Sequence, residues 1–238
     1  MYNGIINVYK EKGFTSHDVI AKLRGILKQK KIGHTGTLDP DATGVLPVCL
    51  GNGTRLSDML TDTDKTYRAE FLLGKVTDTQ DISGTVIGGS EVTATEEEVV
   101  AVINSFVGNY SQIPPMYSAL KVDGKRLYEL AREGKEIERK PREVEIFENT
   151  PLSFEKDAEG FVTKVTLRVR CSKGTYIRSL LRDMGEFLGC GACMESLVRT
   201  QAGAFSVETA LTLAEVERAR DEERLQEIIL PIDSFLLK

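Results

Sequence analysis

The sequence predicts an α+β protein in which strands and helices are mixed along one chain. Residues 161–171 alternate apolar with charged or polar side chains, which is typical of a half-buried strand. Thr95 with Glu98, and Thr212 with Glu215, have the spacing of a capping box, which marks the start of a helix. The sequence contains no internal repeat or low-complexity linker that would separate the strands from the helices.

The N-terminal part predicts a strand, a helix and a second buried element around a glycine-rich stretch. Residues 4–9 are an apolar run of strand length. Ser16 is the predicted N-cap of a helix over residues 18–30, because apolar residues then recur at helical spacing. Residues 45–50 indicate a buried strand or the start of a helix.

Alternation, capping residues and turn formers predict the elements of the remaining chain. These are a strand over 67–73, a polar turn over 78–84, a short strand over 85–87, a helix after Thr95, a rigid extended segment over 113–117, a helix over 126–132 ending at Gly134, a helix over 176–188 and a charged helix after Thr212. Residues 113–146 are a candidate protruding insertion.

Residues 33–47, with the sequence GHTGTLDPDATGVLP, have the composition of a shaped loop. Three glycines permit backbone conformations that other residues resist, and two prolines fix the chain direction. These residues are Gly33, Gly36, Gly44, Pro40 and Pro47. Asp39 precedes Pro40 and is pushed towards an extended conformation, which would hold its carboxylate on a stiff turn.

Other interpretations of this loop compete with a reactive carboxylate. Asp-Pro is common in ordinary turns, where the aspartate caps its own backbone, and that interpretation stays open. A calcium loop is excluded because Leu50 stands where a bidentate glutamate is needed. A phosphate-binding loop is excluded because the Gly-Lys-Ser/Thr ending is missing.

Composition limits the class of protein. With 238 residues, 41% of them hydrophobic, the chain can bury one large core or two modest ones. Apolar runs do not reach the roughly 20 residues of a membrane span, and the N-terminus does not resemble a signal peptide, so we expect a cytoplasmic protein. Cys190 and Cys193 are a lone CxxC pair far from both histidines, so we expect reduced structural cysteines.

Charge is unevenly distributed along the chain. The net charge of -5 argues against a nucleic-acid partner. However, residues 19–38 contain five basic residues and no acidic one, and residues 121–142 contain eight basic residues against five acidic ones. Such a protein can present a basic face to phosphate while remaining acidic overall, although a charge run is more often a solvated face.

The glycine-rich loop and several later stretches resemble the TruB family of tRNA pseudouridine-55 synthases. GHTGTLDPDATGVLPVCLG, residues 33–51, resembles the catalytic motif of that family. DKTYR (64–68), IPPMYSALKVDGKRLYELAREG (113–134), CSKGTYIRSL (171–180) and LVRTQAG (197–203) follow in the family's order. The resemblance extends over residues 4–233, nearly the whole chain.

The resemblance implies a set of site residues. Asp39 would be the nucleophile, and attack on the base and on the ribose both stay open. Arg178 would lie beside Asp39, where a guanidinium favours an ionised carboxylate, and Tyr67 would stack on the target base. Tyr176 and Leu197 would line the pocket. Each residue also has an ordinary alternative interpretation. Arg178 would be a surface arginine, Tyr67 would be an aromatic residue of a strand, and Tyr176 and Leu197 would belong to the apolar core.

The resemblance also implies that the partner is the T arm of tRNA, from which uridine 55 is extruded before reaction. His34 would fill the space left in the opened RNA loop. Phosphate contacts would come from the first basic region and from the insertion, which closes over the RNA. The residues concerned are Lys22, Lys31, Lys121, Lys125 and Arg126.

Fold and organisation follow from the same resemblance. We expect the pseudouridine synthase fold, a mixed and mostly antiparallel sheet flanked by helices, in one catalytic domain over 1–238, acting as a monomer without cofactor or metal. Family members commonly continue into a small PUA-like C-terminal domain, whereas this sequence stops at PIDSFLLK, so we expect weaker RNA affinity with preserved chemistry. The family commonly shows Lys-Pro where Lys10-Glu11 stands, which leaves a role for Lys10 open.

Two other functions stay open at this point. An RNA-binding protein that helps tRNA to fold would use the basic faces without needing Asp39. A glycosidase acting on small glycosides would need a second carboxylate, nominally Asp41, and no basic faces.

Overall fold

The computed structural model describes residues 1–122 and 124–235 and confirms the predicted α+β class. The chain forms two compact units: unit 1 contains residues 1–67 and the chain from 197 onward, and unit 2 contains residues 68–196. Over the described residues, no helix is both long enough and apolar enough to cross a membrane. The four cysteines are buried free thiols, as predicted.

The elements agree with most of the sequence-based predictions. The strands are β1 (Gly4–Lys10), β2 (Ile32–His34), β3 (Thr43–Leu50), β4 (Lys65–Leu73), β5 (Val76–Thr77), β6 (Val86–Gly88), β7 (Gly108–Gln112), β8 (Lys121–Val122), β9 (Lys125–Arg126), β10 (Arg142–Lys156), β11 (Val162–Cys171), β12 (Ala192–Ala202) and β13 (Phe205–Ser206). The helices are α1 (Ser16–Leu27), α2 (Ser57–Thr61), α3 (Glu96–Ser105), α4 (Leu127–Arg132), α5 (Ile177–Phe187), α6 (Leu213–Asp221) and α7 (Leu225–Ile228), with short 3-10 segments at Gly51–Leu56, Val207–Thr209 and Ile232–Phe235.

In unit 1, β3 lies between β1 and β12. β1 pairs antiparallel with β3, with Lys10 opposite Gly44, and β12 pairs parallel with β3, with Arg199 also opposite Gly44. Lys10, Gly44 and Arg199 therefore occupy one level of three adjacent strands. β2 pairs with another part of β3, and the loop between β2 and β3 carries Asp39.

β3 is anchored by apolar packing on both faces. Leu46, Val48 and Leu50 belong to a cluster that includes buried residues of α1, α6 and α7. Val45 and Cys49 belong to a second cluster with residues of β1, α2 and β13. Because successive side chains of a strand point to opposite faces, β3 is fixed from both sides directly after the Asp39 loop.

Helix α1 begins and ends earlier than predicted. Its N-cap is Thr15, whose hydroxyl accepts from the backbone N–H of Asp18 at 3.0 Å, while the Asp18 side chain accepts from the Thr15 N–H at 2.8 Å. The prediction that Ser16 is the cap is wrong because the Ser16 hydroxyl is buried against the Asp39 loop. The helix stops at Leu27 because Lys28 adopts the left-handed conformation, with φ 51°.

In unit 2, β11 lies between β4 and β10, and β10 lies between β11 and β7. The 15-residue strand β10 pairs antiparallel with both β11 and β7 and was not predicted from the sequence. Most of its residues are exposed, so it lacks the apolar alternation that indicates a strand. Asn149 of β10 donates to the carbonyl of Ile103 at 2.7 Å and so ties β10 to α3.

Residues 113–141 lie between β7 and β10 and contain β8, β9 and α4. They have a small apolar cluster of their own, built on Met116, Leu127 and Leu130. The predicted insertion over 113–146 corresponds to this segment, except that the chain has entered β10 from Arg142 onward. Its role as a clasp on RNA stays a prediction.

Candidate functional site

Asp39 lies in a tight turn between β2 and β3. The backbone N–H of Ala42 donates to the carbonyl of Asp39 at 3.1 Å, which closes the turn Asp39-Pro40-Asp41-Ala42. Asp39 is half-buried and Asp41 is exposed. A carboxylate on a proline-containing turn closed by its own hydrogen bond is held more rigidly than one on an open loop.

Two of the three loop glycines adopt a backbone conformation that other residues resist. Gly36 and Gly44 have positive φ of 92° and 106°, which favours glycine over other residues. Gly33 lies in β2 without a positive φ, so it does not use the conformational freedom that glycine permits. A strand residue adopts extended backbone angles that any residue tolerates.

Lys10, whose role the sequence left open, is a buried support of this turn. Its side chain is 0% exposed, and its ammonium donates to the carbonyls of Phe14 at 2.5 Å, Pro40 at 3.0 Å and Glu11 at 3.2 Å. Burial lowers the pKa of Lys10 to about 8, although the nearby carboxylates of Asp39 and Asp41 raise it. The ammonium thus links the end of β1 to the residue that follows Asp39.

Ser16 fixes the residue on the other side of Asp39. The backbone N–H of Leu38 donates to the Ser16 hydroxyl at 3.0 Å, and that hydroxyl donates back to the Leu38 carbonyl at 3.4 Å. Leu38 is itself buried. Asp39 is therefore flanked by two residues whose backbone groups are bound to buried side chains.

Arg199 of β12 contacts the same loop and was not singled out by sequence reasoning. Its side chain is 1% exposed and donates to the carbonyls of Val45 at 2.7 Å, Gly36 at 3.2 Å and Thr37 at 3.5 Å. The signal available in the sequence was an arginine in the LVRTQAG stretch that the family resemblance already covered. Its acceptors could not be read from the sequence because they lie 154 to 163 positions away.

His34 ends β2 at the entrance to the loop. It is half-buried, and its ring meets that of His17 edge-on, with centroids 5.6 Å apart and planes at 81°. Burial lowers the pKa of His34, and the charges of His17 and Arg199 lower it further. A hydrogen bond with the backbone of Gly36 raises the pKa but does not reverse the shift. A neutral, planar side chain beside the Asp39 loop suits the predicted contact with an opened RNA loop.

Tyr67 and Leu197 lie on neighbouring strands of unit 1. Tyr67 of β4 and Leu197 of β12 are 8% and 7% exposed, and the Thr200 hydroxyl donates to the Thr66 carbonyl at 3.2 Å across the same pair of strands. Both positions fit the interpretation as core residues. They also fit their predicted roles, which are stacking on the target base for Tyr67 and lining the pocket for Leu197, and both roles stay predictions.

Arg178 and Tyr176 lie at the start of α5 in unit 2. Arg178 is 5% exposed, so the interpretation as a surface arginine is wrong. Its guanidinium donates to the carbonyls of Tyr117 at 2.8 Å and Thr79 at 3.0 Å and lies 3.8 Å from the carboxylate of Asp81. The side chain of Gln112 bonds both the N–H and the carbonyl of Tyr176, at 2.8 and 3.0 Å.

These contacts hold Arg178 in place without assigning its role. Asp39 belongs to unit 1 and Arg178 to unit 2, and the predicted pairing of the two side chains stays a prediction. In the part of the chain that the structure describes, no group of three or more histidine, cysteine, aspartate or glutamate side chains is arranged to hold a metal ion.

The predicted RNA-binding cations divide between the two units. Lys22 and Lys31 are exposed in unit 1, and Lys121 and Lys125 are exposed on the β8–β9 hairpin of unit 2. Arg126 differs because it is half-buried, and its guanidinium donates to the Tyr128 hydroxyl at 3.2 Å. The four lysines are therefore better placed than Arg126 to contact phosphate.

Comparisons with known proteins point to one family over nearly the whole chain. Residues 24–177 match the N-terminal domain model of the TruB family pseudouridylate synthases, and residues 178–237 match the tRNA pseudouridylate synthase B C-terminal domain model. A tRNA pseudouridine synthase B of Lachnoclostridium phytofermentans is 59% identical over 99% of this chain and 77% of its own length. One of Staphylococcus haemolyticus is 47% identical over 98% of this chain and 77% of its own length.

Solved structures confirm the predicted fold. A Cbf5–Nop10–Gar1 complex contains a chain that is 32% identical with a TM-score of 0.74, matched over 97% of this chain and 60% of that one. An H/ACA RNP bound to a substrate RNA containing 2′-deoxyuridine contains one that is 29% identical with a TM-score of 0.71. This chain spans 59% of the length of that second one. The family models and the similarity to curated relatives over nearly the whole of this chain establish that the chain belongs to the TruB family of pseudouridylate synthases.

Proposed function

We propose that this chain converts uridine 55 in the T arm of tRNA to pseudouridine, with Asp39 as the nucleophile. The names of its relatives support tRNA as the substrate. The observation that carries the proposal is the turn that holds Asp39 half-buried between two residues fixed by Lys10 and Ser16.

The proposed reaction is an isomerisation. The bond between N1 of the base and C1′ of the ribose breaks, the base rotates, and a new bond forms between C5 and C1′. N1 gains a proton and C5 loses one, so no oxidant, reductant or group donor is consumed. A carboxylate suits this sequence because it can attack a carbon of the base or the ribose and later leave.

The residues around Asp39 take complementary roles in the proposal. Tyr67 stacks on the target base, Arg178 stabilises the reacting carboxylate, and Tyr176 and Leu197 line the pocket. Burial of Arg178 supports its role, since a guanidinium removed from water interacts more strongly with a carboxylate than an exposed one does.

The target base must leave its stacked position before it can react. Extrusion costs a few kcal/mol, and a planar side chain inserted into the vacated space offsets part of that loss. We assign this role to His34, because it is half-buried next to the Asp39 loop and its lowered pKa keeps the ring neutral at neutral pH.

Phosphate binding is assigned to exposed lysines of both units. Lys22 and Lys31 contact RNA from unit 1, and Lys121 and Lys125 contact it from the segment over residues 113–141, which closes over the RNA. Each phosphate neutralised steepens the salt dependence of binding by about 0.7 to 0.9 in log–log slope. Replacing Lys121 and Lys125 together by alanine is expected to lower that slope by roughly 1.4 to 1.8. An unchanged slope in a filter-binding titration would remove the segment from the RNA interface.

The test of the nucleophile compares two carboxylates of one turn. Unmodified tRNA transcribed with uridine tritiated at C5 is incubated with wild type, Asp39→Asn and Asp41→Asn, because tritium leaves C5 when the carbon–carbon bond forms. We expect release by wild type and by Asp41→Asn and none by Asp39→Asn. A transcript with cytidine at position 55 should release none with any protein. Release by Asp39→Asn at the wild-type rate would exclude Asp39 as the nucleophile.

The RNA-folding function is the second candidate and is not favoured, because family and relatives alike are named as synthases. Absence of tritium release from wild type, with tRNA binding intact, would favour it.

We further propose that the chain acts as a monomer in the cytoplasm. Light scattering of the chain with and without tRNA tests the first point, since a dimer would show twice the mass of one chain.

A further inference from the structure

Arg199 binds both ends of the loop that carries Asp39. Its guanidinium nitrogens donate to Gly36 and Thr37, which precede Asp39, and its Nε donates to Val45, which follows it. The side chain is 1% exposed and is among the largest fully buried side chains of the protein. One planar cation therefore spans the entry and the exit of the loop.

The backbone of Arg199 holds the loop as well. Arg199 lies opposite Gly44 in the parallel pairing of β12 with β3. Gly44 has φ 106°, and a Cβ there would stand 2.2 Å from the Arg199 carbonyl oxygen. The main chain at position 199 thus leaves room only for a glycine at position 44, so β12 and the start of β3 approach each other closely.

The chemistry of these contacts suits positioning better than general stabilisation. A buried guanidinium is costly to desolvate, and its three acceptors here are neutral carbonyls, so a hydrophobic residue could fill the same volume with less loss of hydration. An apolar residue, however, could not hydrogen-bond to backbone carbonyls on both sides of Asp39 and so could not fix their directions. Arginine does so because its donors form a rigid fork.

We propose that Arg199 is a positioning residue that sets the geometry of the Asp39 carboxylate for attack. The inference rests on the proposed role of Asp39 as nucleophile. A displacement of about 1 Å of a reacting group reduces rates by roughly 100-fold, so loss of this fork lowers the rate of the chemical step while leaving tRNA binding in place.

The test uses Arg199→Lys and Arg199→Met, each compared with Asn149→Ala. Asn149 lies in unit 2, where its side chain donates to the Ile103 carbonyl at 2.7 Å, so its replacement also removes a buried hydrogen bond to a backbone carbonyl. Single-turnover tritium release is measured with saturating protein, tRNA affinity is measured by filter binding, and melting temperature is measured for each variant. Should Arg199→Met fail to fold, Arg199→Lys supplies the measurement, because lysine keeps the charge but cannot span three acceptors.

We expect single-turnover rates of both Arg199 variants to fall roughly 100-fold with tRNA affinity changed by less than about threefold. Asn149→Ala should melt earlier but retain the wild-type rate below its melting temperature. Rates of the Arg199 variants within about threefold of wild type, or an equal loss in Asn149→Ala, would overturn the inference.

Hydrogen exchange separates this inference from the proposed function. The Ala42 amide, which donates to Asp39, should exchange faster in both Arg199 variants than in Asn149→Ala. If Asp39→Asn keeps activity, the proposed function fails, and the Ala42 amide still reports whether Arg199 holds the loop. If Asp39→Asn is inactive while Ala42 exchange and rate are unchanged in the Arg199 variants, only the positioning role of Arg199 is wrong.

Discussion

Replacing Lys10 with methionine should change how the stability of the protein depends on pH. The pKa of Lys10 is about 8 in the folded chain, against 10.5 for an exposed lysine, because burial penalises its charged form. Between these two values the unfolded chain binds more protons than the folded one, so stability rises with pH through this window. The penalty is fully present below pH 8 and disappears as the pH approaches 10.5.

The size of the effect follows from the two pKa values. For one group that titrates at about 8 when folded and at 10.5 when unfolded, linkage gives a gain of about 2 kcal/mol in unfolding free energy between about pH 7.5 and about pH 9.5. In Lys10→Met this contribution is absent. The difference between the two proteins should therefore change by about 2 kcal/mol over that interval, in the direction that favours wild type at high pH.

Urea unfolding at several pH values measures this difference directly. All other titrating groups are shared by the two proteins, so subtracting the curves isolates Lys10. Lys12→Met is the matched control, because Lys12 is exposed two positions away, and its difference from wild type should stay constant with pH. If the free energies of unfolding of wild type and Lys10→Met change in parallel with pH, the pKa of Lys10 is not lowered by burial and this reasoning is wrong.

Other substitutions test the surroundings of Asp39 and the core of unit 2. Gly44→Ala should lower the unfolding free energy by more than about 3 kcal/mol or prevent folding, because its Cβ would meet the Arg199 carbonyl and φ is positive; a well-folded variant in urea unfolding would contradict this. Because burial lowers the pKa of His34, wild type should lose stability as the pH falls below the ordinary value of 6.5, and His34→Gln should lose less; equal acid slopes in thermal melts would refute it. Asn149→Ala should lower the unfolding free energy by about 1 to 3 kcal/mol, since the Ile103 carbonyl loses a buried donor; no change in the urea midpoint would contradict this.

The parts of the site that sequence reasoning found are those whose determinants are local. The Asp39 turn could be predicted because glycine, proline and aspartate fall within a few positions of one another and each limits the backbone in a known way. Strand β11 could be predicted because its inward residues alternate with polar ones. In both cases the physical cause lies inside the segment itself.

The supports of the site could not be found in this way because their partners are distant in sequence. Lys10 meets Pro40 across 30 positions, and Arg199 meets Val45 across 154. The local sequence around a lysine at the end of an apolar strand does not show whether its side chain is buried or exposed. Strand β10 was missed for a related reason, because it contains Pro151, register shifts and mostly exposed residues, and it is defined by pairing with β11 and β7.

Unit 1 is built from two segments that are far apart in the sequence, and this has a consequence for biosynthesis. Its strands β1 and β3 are translated early, whereas Arg199 follows Val45 by 154 positions, and Ile5 exchanges backbone hydrogen bonds with Leu230. At about 5 to 20 residues per second, the ribosome takes roughly 8 to 30 seconds to travel from Val45 to Arg199. During that interval the nascent chain already displays its basic N-terminal region but lacks the arginine that shapes the loop. The Asp39 loop can therefore gain its hydrogen bonds to Arg199 only after most of the polypeptide has been made.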